Sequence, residues 1–364
     1  MNIIVNRLVV KYNDKTVGFL EELDNKDIAF QYSEDWVDNG FSISPLSLPL
    51  SDKVYISKSE YFHGLFGVFN DSLPDGWGEL LVRRMLINKD VSFNKLSSLS
   101  RLSLISSNGL GGLSYEPTQS ENLIDTQYDL DLLANDVSNI FNDNYENSNF
   151  DMIFALGGAS GGARPKVHIK INNEDWIIKF PSSIDPINIG ELEYAVNKLA
   201  KESRINVNEF KLFPSKDYLG YFGAKRFDRS NNKRLHMISL SALLETTHRI
   251  PYIDYKHLFQ VIQTICVDQA DMYEAYKRMC FNVIYQNKDD HGKNFAFLYD
   301  EGLNGYRLSP FYDITKTKHK LEHEMTVLGE GKPTEKDLLA IAKEFNLSEK
   351  RCNNIINTIK KVVE

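Results

Sequence analysis

The stretch Asn287-Lys288-Asp289-Asp290-His291-Gly292-Lys293-Asn294, followed by Ser309-Pro310-Phe311-Tyr312-Asp313, decides the reading of this chain. Asp289 stands five residues before Asn294, in a run that reads as a loop ending a helix. That spacing serves phosphoryl transfer: the carboxylate accepts the proton of an attacking hydroxyl, and the amide oxygen ligates a magnesium ion bridging phosphates. Mg²⁺ takes hard oxygen ligands and few of them from protein, so a second carboxylate completes such a site. Asp313 fits that part. Taken singly, each aspartate reads as a turn residue, with Asp289 and Asp290 capping a helix end. The ordered set, with a glycine-rich loop and a strand lysine upstream, favours the chemistry. No second His or Cys stands at ligand spacing from His291, which reads as hydrogen-bonding within the loop or near the phosphates. A Ser-His-Asp hydrolase is disfavoured because no Gly-x-Ser-x-Gly elbow is present.

Immediately upstream, Met272, Ala275, Tyr276, Met279, Cys280, Val283 and Ile284 repeat with helical spacing and predict a core-facing helix that holds the Asp289 loop. Further upstream, Gly157-Gly158-Ala159-Ser160-Gly161-Gly162-Ala163-Arg164-Pro165-Lys166 is a glycine-rich loop. Backbone N–H groups of Gly161, Gly162 and Ala163 could approach phosphate oxygens there, with Lys166 supplying positive charge. Alone, this pattern reads equally as a tight turn, and it is not the Gly-x-x-x-x-Gly-Lys-Ser/Thr of P-loop NTPases. Val167–Ile171 and Asp175–Phe180 read as strands joined by Asn172-Asn173. Lys179 lies among Trp176, Ile177, Ile178 and Phe180, either beside a cleft or pointing to solvent from an edge strand. Glu193, on the following helix, is its candidate partner, as in the strand-lysine to helix-glutamate pair of kinases. That helix runs from about Gly190 to Lys201, with Leu192, Ala195, Val196, Leu199 and Ala200 expected to face the core. Gly223–Arg229 reads as a strand end whose main chain, at Lys225 and Phe227, could meet adenine, with Asp228 toward the ribose.

The first third reads as β-rich. Leu8–Val10 and Thr16–Leu20 flank the turn Asn13-Asp14, and Ile28–Phe30 and the Pro-interrupted Pro45–Leu50 follow. Pro74-Asp75-Gly76 marks a turn into a helix over Glu79–Leu86. The Asn- and Asp-rich stretch 118–149 reads as a surface helix with polar loops and a domain boundary. At the C-terminus, Lys336–Glu364 predicts two amphipathic helices split near Asn346-Leu347-Ser348.

The 364 residues allow two domains or one divided into lobes. A net charge of -8 argues against binding nucleic acid through a general basic surface. Three widely separated cysteines, Cys266, Cys280 and Cys352, favour reduced thiols and a cytosolic compartment. No apolar run reaches the roughly 20 residues a bilayer requires, and the start lacks a signal-peptide pattern.

These motifs together resemble the HipA family of serine/threonine kinases, the toxin halves of bacterial toxin–antitoxin pairs. The likeness spans nearly the whole chain. Phe69-Asn70-Asp71-Ser72-Leu73-Pro74-Asp75-Gly76 and Gly112–Pro117 resemble the family's N-terminal subdomain. Gly161–Lys166 resembles its phosphate loop, Ile177–Phe180 its nucleotide-lysine strand, and Arg226–Arg229 its lobe connector. Asp289-x-His291-Gly292-Lys293-Asn294-Phe295 with Pro310–Ile314 resembles its catalytic and metal signature, the most specific of these matches.

The resemblance implies an α+β, two-lobed protein-kinase-like fold with a β-rich N-terminal subdomain and a mainly helical C-terminal lobe. The expected divisions are 1–117, a linker or surface helix at 118–150, a nucleotide-binding part at 151–228, and a helical lobe at 229–364. Asp289 would be the catalytic base, with Asn294 and Asp313 on Mg²⁺. Gly161, Gly162, Ala163, Arg164, Lys166, Lys179, Lys225, Phe227, His291, Lys293 and Tyr312 would contact ATP. The family's autophosphorylated serine falls where this chain has Ala159, which leaves the adjacent Ser160 as candidate. Implied partners are a protein substrate such as an aminoacyl-tRNA synthetase and a HipB-like helix-turn-helix antitoxin, with DNA reached only through that antitoxin and no membrane. Two other functions remain open: a binding module that bridges antitoxin on DNA with little catalysis, and a small-molecule phosphotransferase.

Overall fold

A computed structural model describes residues 4–105, 109–118, 128–142, 144, 148–231, 233–247, 252–317 and 319–364. The described residues divide into two units, one from Met1–Leu192 with Glu209–His236, the other from Glu193–Asn208 with Met237–Glu364.

The first unit opens with β1 (Arg7–Tyr12), β2 (Lys15–Glu22) and β3 (Ile28–Tyr32), then α1 (Glu34–Asn39) and β4 (Val54–Ile56). Asn13 and Asp14 take left-handed φ values of 45° and 70°, which the tight β1–β2 hairpin requires. Pro45–Leu50 is not a strand. It makes one isolated bridge, Ser44 to Leu48, because proline cannot donate to a ladder. Next come α2 (Gly67–Asn70), α3 (Gly76–Ile87), α4 (Ser98–Ser103) and β5 (Leu113–Glu116). The five strands form an antiparallel sheet in the order β4-β3-β2-β1-β5.

Two helices follow, α5 (Leu130–Phe141) and α6 (Phe150–Gly157). The helix expected on the surface is half core: Leu133, Ala134, Val137 and Ile140 of α5 are buried with Trp77, Leu81, Ile153, Leu156 and Trp176. The rest of the polar stretch, 119–127, 143 and 145–147, lies outside the described residues. A second antiparallel sheet, β6 (Lys166–Ile171), β7 (Glu174–Lys179), β8 (Phe210–Phe213) and β9 (Tyr221–Lys225), has the order β6-β7-β9-β8. Asn172 and Asn173, with φ of 53° and 62°, close the β6–β7 hairpin.

Between β7 and β8 runs α7 (Ile189–Glu202). Its buried face differs from the apolar stripe: Glu193, Val196, Asn197 and Ala200 are buried, while Leu192 and Ala195 are exposed. The Asn197 amide donates to the Glu193 carbonyl at 2.8 Å, which satisfies one of the two buried polar side chains. A short ribbon, β10 (Arg229–Ser230) with β11 (Lys233–Arg234), completes this part of the chain.

The second unit pairs β12 (Met237–Ser239), β13 (Ala296–Asp300) and β14 (Gly305–Leu308) into a three-stranded sheet. Around it stand α8 (Leu240–Leu243), α9 (Tyr255–Ile265), α10 (Ala270–Tyr285), α11 (Glu335–Glu344) and α12 (Glu349–Val363). On α10, Met272, Ala275, Tyr276, Met279 and Cys280 are buried, as their spacing predicts. Gln286, left-handed at φ 64°, stops that helix just before the Asp289 loop. All three cysteines are free thiols, with Cys280 and Cys352 buried. No helix among the described residues is long and apolar enough to cross a membrane.

Candidate active site

In the second unit, residues 287–294 leave α10 and turn into the 3₁₀ segment Gly292–Asn294. Asn294 is buried, and its side-chain amide donates to the Asp289 carbonyl at 2.6 Å. That bond spends the N–H side of the amide and leaves its oxygen as an acceptor of fixed direction. The Tyr312 hydroxyl donates to the Lys293 carbonyl at 2.5 Å, which ties the Asp313 segment to the Asn294 turn. Asp313 itself is left-handed at φ 55°, a conformation uncommon for a residue with a Cβ and concentrated at functional sites. Behind it, the Arg278 guanidinium donates to the Ser309 carbonyl at 2.5 Å and lies 5.6 Å from the Phe311 ring centroid. Asn294 and Asp313 are hard oxygen donors of the kind Mg²⁺ prefers.

Asp289 is partly exposed, and its Oδ1 accepts a hydrogen bond from Lys320 Nζ at 2.5 Å. Lys320 also meets Glu324 at 2.8 Å. Burial pulls the lysine pKa down, but the bonds to Asp289 and Glu324 outweigh it and raise it overall. Asp290 is not a turn residue facing solvent. It is buried and accepts from Tyr255 Oη (2.8 Å), His323 Nδ1 (2.8 Å) and the Glu324 N–H (3.0 Å). Burial and the Asp290 charge hold the Tyr255 phenol well above its usual pKa. Tyr255 in turn accepts from Asn282, which accepts from Asn287, so a chain of polar side chains runs beneath the loop. Sequence reasoning missed Lys320, His323 and Glu324, whose link to Asp289 and Asp290 crosses some thirty residues of chain.

In the first unit, the glycine-rich loop joins α6 to β6. Lys166 is buried and its Nζ donates to the Gly161 carbonyl at 2.6 Å. Gly162 is left-handed at φ 78°, and a Cβ there would stand 2.8 Å from Lys166 Nζ. The turn Asp75-Gly76-Trp77 seats the loop from below. Asp75 accepts the Gly162 N–H, the Trp77 N–H donates to the Gly162 carbonyl at 2.9 Å, and the Trp77 ring N–H donates to the Lys166 carbonyl at 3.0 Å. Strand pairing sets Lys166 opposite Lys179, whose Nζ lies 5.7 Å from the Phe222 ring centroid.

Other expected contacts are engaged elsewhere. Arg164 makes a two-pronged bond with Asp185 at 3.0 and 3.1 Å. Although burial raises the Asp185 pKa, Ser182 and Arg164 together bring it below the usual carboxylate value. The Lys225 N–H donates to the Glu209 carbonyl at 2.8 Å, and its ammonium pairs with Glu174 and Glu209. Asp228 does not project toward a ligand: it is buried between Arg226 (2.7 Å) and Arg229 (3.0 Å) and accepts the Gly111 N–H. Burial opposes its ionisation, but the two arginines hold it far below the usual carboxylate pKa. Arg226 continues to His168 (3.2 Å), and His168 to Ser160 (3.4 Å). Ser160 is fully buried, so its hydroxyl becomes available only if the loop opens. Glu193 falls in the second unit and is buried there.

The comparisons agree over most of the chain. The HipA N-terminal domain matches residues 8–116 and the HipA-like C-terminal domain matches residues 158–364. A protein of Sinorhizobium fredii (strain NBRC 101917 / NGR234) named "Putative kinase Y4dM" is 26% identical over 209 residues, 52% of this chain and 50% of that protein. The match thus spans about half the length of that curated relative. Y4mE of the same strain, similarly named, is 33% identical over 64 residues, 17% of this chain and 15% of its own. Among solved structures, HipA from the Shewanella oneidensis MR-1 complex of HipA, HipB and operator DNA superposes with a TM-score of 0.72. It is 19% identical, and the alignment covers 98% of this chain and 88% of that one, a likeness that establishes the mixed α and β fold. With both of the family's domains matched in order, the chain belongs to the HipA family.

Proposed function

We propose that this chain is an ATP- and Mg²⁺-dependent serine/threonine protein kinase that acts in the cytoplasm as the growth-inhibiting half of a toxin–antitoxin pair. The observation that carries this reading is the Asn294 amide bonded to the Asp289 carbonyl at 2.6 Å. It ties the two residues together in one turn, which supports reading Asp289 as general base and the Asn294 amide oxygen as a metal ligand, the pairing phosphoryl transfer uses. Mg²⁺, when bound, would supply countercharge to the phosphates of the nucleotide. Asn294 and Asp313 would hold it through their side-chain oxygens. Gly161, Gly162, Ala163 and Arg164 would hold phosphate oxygens once the Gly162 N–H and the Arg164 guanidinium exchange Asp75 and Asp185 for the nucleotide, with Lys166 and Lys179 as countercharge. Lys225 and Phe227 meet adenine, and His291, Lys293 and Tyr312 line the phosphate side of the catalytic loop.

The acceptor hydroxyl oxygen bonds to the γ-phosphorus as the bond to the β–γ bridging oxygen breaks. ADP leaves with that electron pair, and the hydroxyl proton passes to Asp289. The substrate class favoured by family likeness is a translation component such as an aminoacyl-tRNA synthetase. The related structure with HipB and operator DNA supports a helix-turn-helix antitoxin as partner, with DNA contacted through it.

The test is growth. Induced expression of the wild-type chain arrests cells, Asp289→Asn does not, and co-expression of a helix-turn-helix gene found beside this one restores growth. Arrest by Asp289→Asn equal to wild type refutes the reading.

A further inference from the structure

Lys320 and its neighbours form a device that the phosphoryl-transfer reading does not require. Residues 317 and 319–324 are strapped to the catalytic loop on both sides of Asp289. On one side, the Lys288 N–H donates to Thr317 Oγ1 at 2.7 Å, and Lys288 Nζ donates to the Lys320 carbonyl at 2.8 Å. On the other, the Asp290 carboxylate accepts from His323 Nδ1 at 2.8 Å and from the Glu324 N–H at 3.0 Å. Asp290 and His323 are buried, so this anchor is shielded from water. Between the two anchors Lys320 reaches Asp289 Oδ1 at 2.5 Å, and Glu324 Oε1 holds the same ammonium at 2.8 Å.

The pair contributes little to folding. The Lys320 and Asp289 side chains are 27% and 38% exposed, and exposed ion pairs are worth little. A geometric purpose fits better than a stabilising one. Asn294 holds the Asp289 main chain and Lys320 holds Oδ1, which together restrain rotation of the carboxylate and leave Oδ2 as the oxygen to receive a proton.

We propose that Lys320 is a positioning residue for the catalytic base: braced by Glu324 and by the Asp290–His323 anchor, it orients Asp289 so that Oδ2 faces the acceptor hydroxyl. The role rests on the kinase reading. It acts on turnover and not on nucleotide affinity, because Lys320 contacts the base.

The experiment uses the full chain with radiolabelled ATP and a cell lysate as acceptor, over a range of ATP concentrations, alongside titration with a fluorescent ATP analogue. Lys320→Met lowers label transfer at saturating ATP, on the order of 100-fold as expected for a misplaced base, with analogue affinity unchanged. Lys320→Arg, which keeps charge and donors, recovers most of the loss. A methionine variant that turns over as fast as wild type, or faster, overturns the role, as does a loss confined to nucleotide affinity. An arginine variant as slow as methionine, with the same melting temperature as wild type, also overturns it. A wild-type chain that transfers no label overturns the kinase reading and this role together.

Discussion

Gly76→Ala tests whether the Asp75-Gly76-Trp77 turn shapes the glycine-rich loop. A Cβ at position 76 would stand 2.5 Å from the Gly162 oxygen, 2.6 Å from its carbonyl carbon and 2.7 Å from Ala163 Cα. All three are backbone atoms, so no side chain can swing aside. Ordinary contact begins near 3.4 Å, and the loop must therefore withdraw by about 1 Å. Gly76 is also left-handed at φ 48°, which costs alanine about 1–2 kcal/mol. Overpacking adds about 1–3 kcal/mol. Gly64→Ala separates the two terms: Gly64 is left-handed at φ 82°, but its nearest neighbour, Ile28 Cγ1, lies 3.5 Å away. Urea unfolding and titration with a fluorescent ATP analogue are the assays. Gly64→Ala loses only the conformational share and binds nucleotide normally. Gly76→Ala loses about 1–3 kcal/mol more, and its affinity for the ATP analogue falls roughly 10-fold. Equal stability and equal nucleotide affinity in the two variants would refute the argument that this turn holds the loop.

Asp228→Ala strands Arg226 and Arg229 in the interior and should cost about 3–5 kcal/mol, read by urea unfolding. A cost under 1 kcal/mol would show that water reaches the pair. Burial lowers the His236 pKa to about 4 despite its bond to the Ile43 carbonyl at 2.8 Å. The unfolded chain therefore binds the proton first, and stability falls by roughly 3 kcal/mol as pH drops from 6.5 to 4. His236→Gln should flatten the melting temperature across that window. Asp290→Ala removes the shared acceptor of Tyr255, His323 and Glu324, costs about 3 kcal/mol, and raises hydrogen exchange in residues 288–294.

The parts of the fold legible from sequence were those set by local chemistry. Asn13-Asp14 and Asn172-Asn173 announced their hairpins because few other residue types accept left-handed φ, and α10 followed from its apolar spacing. The Asp289–Asn294 pair stood out for its five-residue spacing, and the amide–carbonyl bond that joins the two residues came only with the structure. What stayed hidden depended on distant partners. Asp290 looked like a turn residue because Tyr255 and His323 are about thirty-five residues away on either side. Asp228 read as directed toward the ribose because Arg226 and Arg229 could as well have pointed to solvent. On α7 the apolar stripe misled, since Leu192 is exposed and Glu193 and Asn197 are buried. A polar side chain can be buried once its groups find partners, and periodicity does not report partners.

The most direct measurement is transfer of radiolabel from ATP to protein by the wild-type chain and Asp289→Asn, each with Mg²⁺ and with excess chelator. Label should appear only for the wild type with Mg²⁺, while both chains share one melting temperature. Transfer by Asp289→Asn at the wild-type rate, or transfer unaffected by chelation, would contradict the assignment of base and metal site.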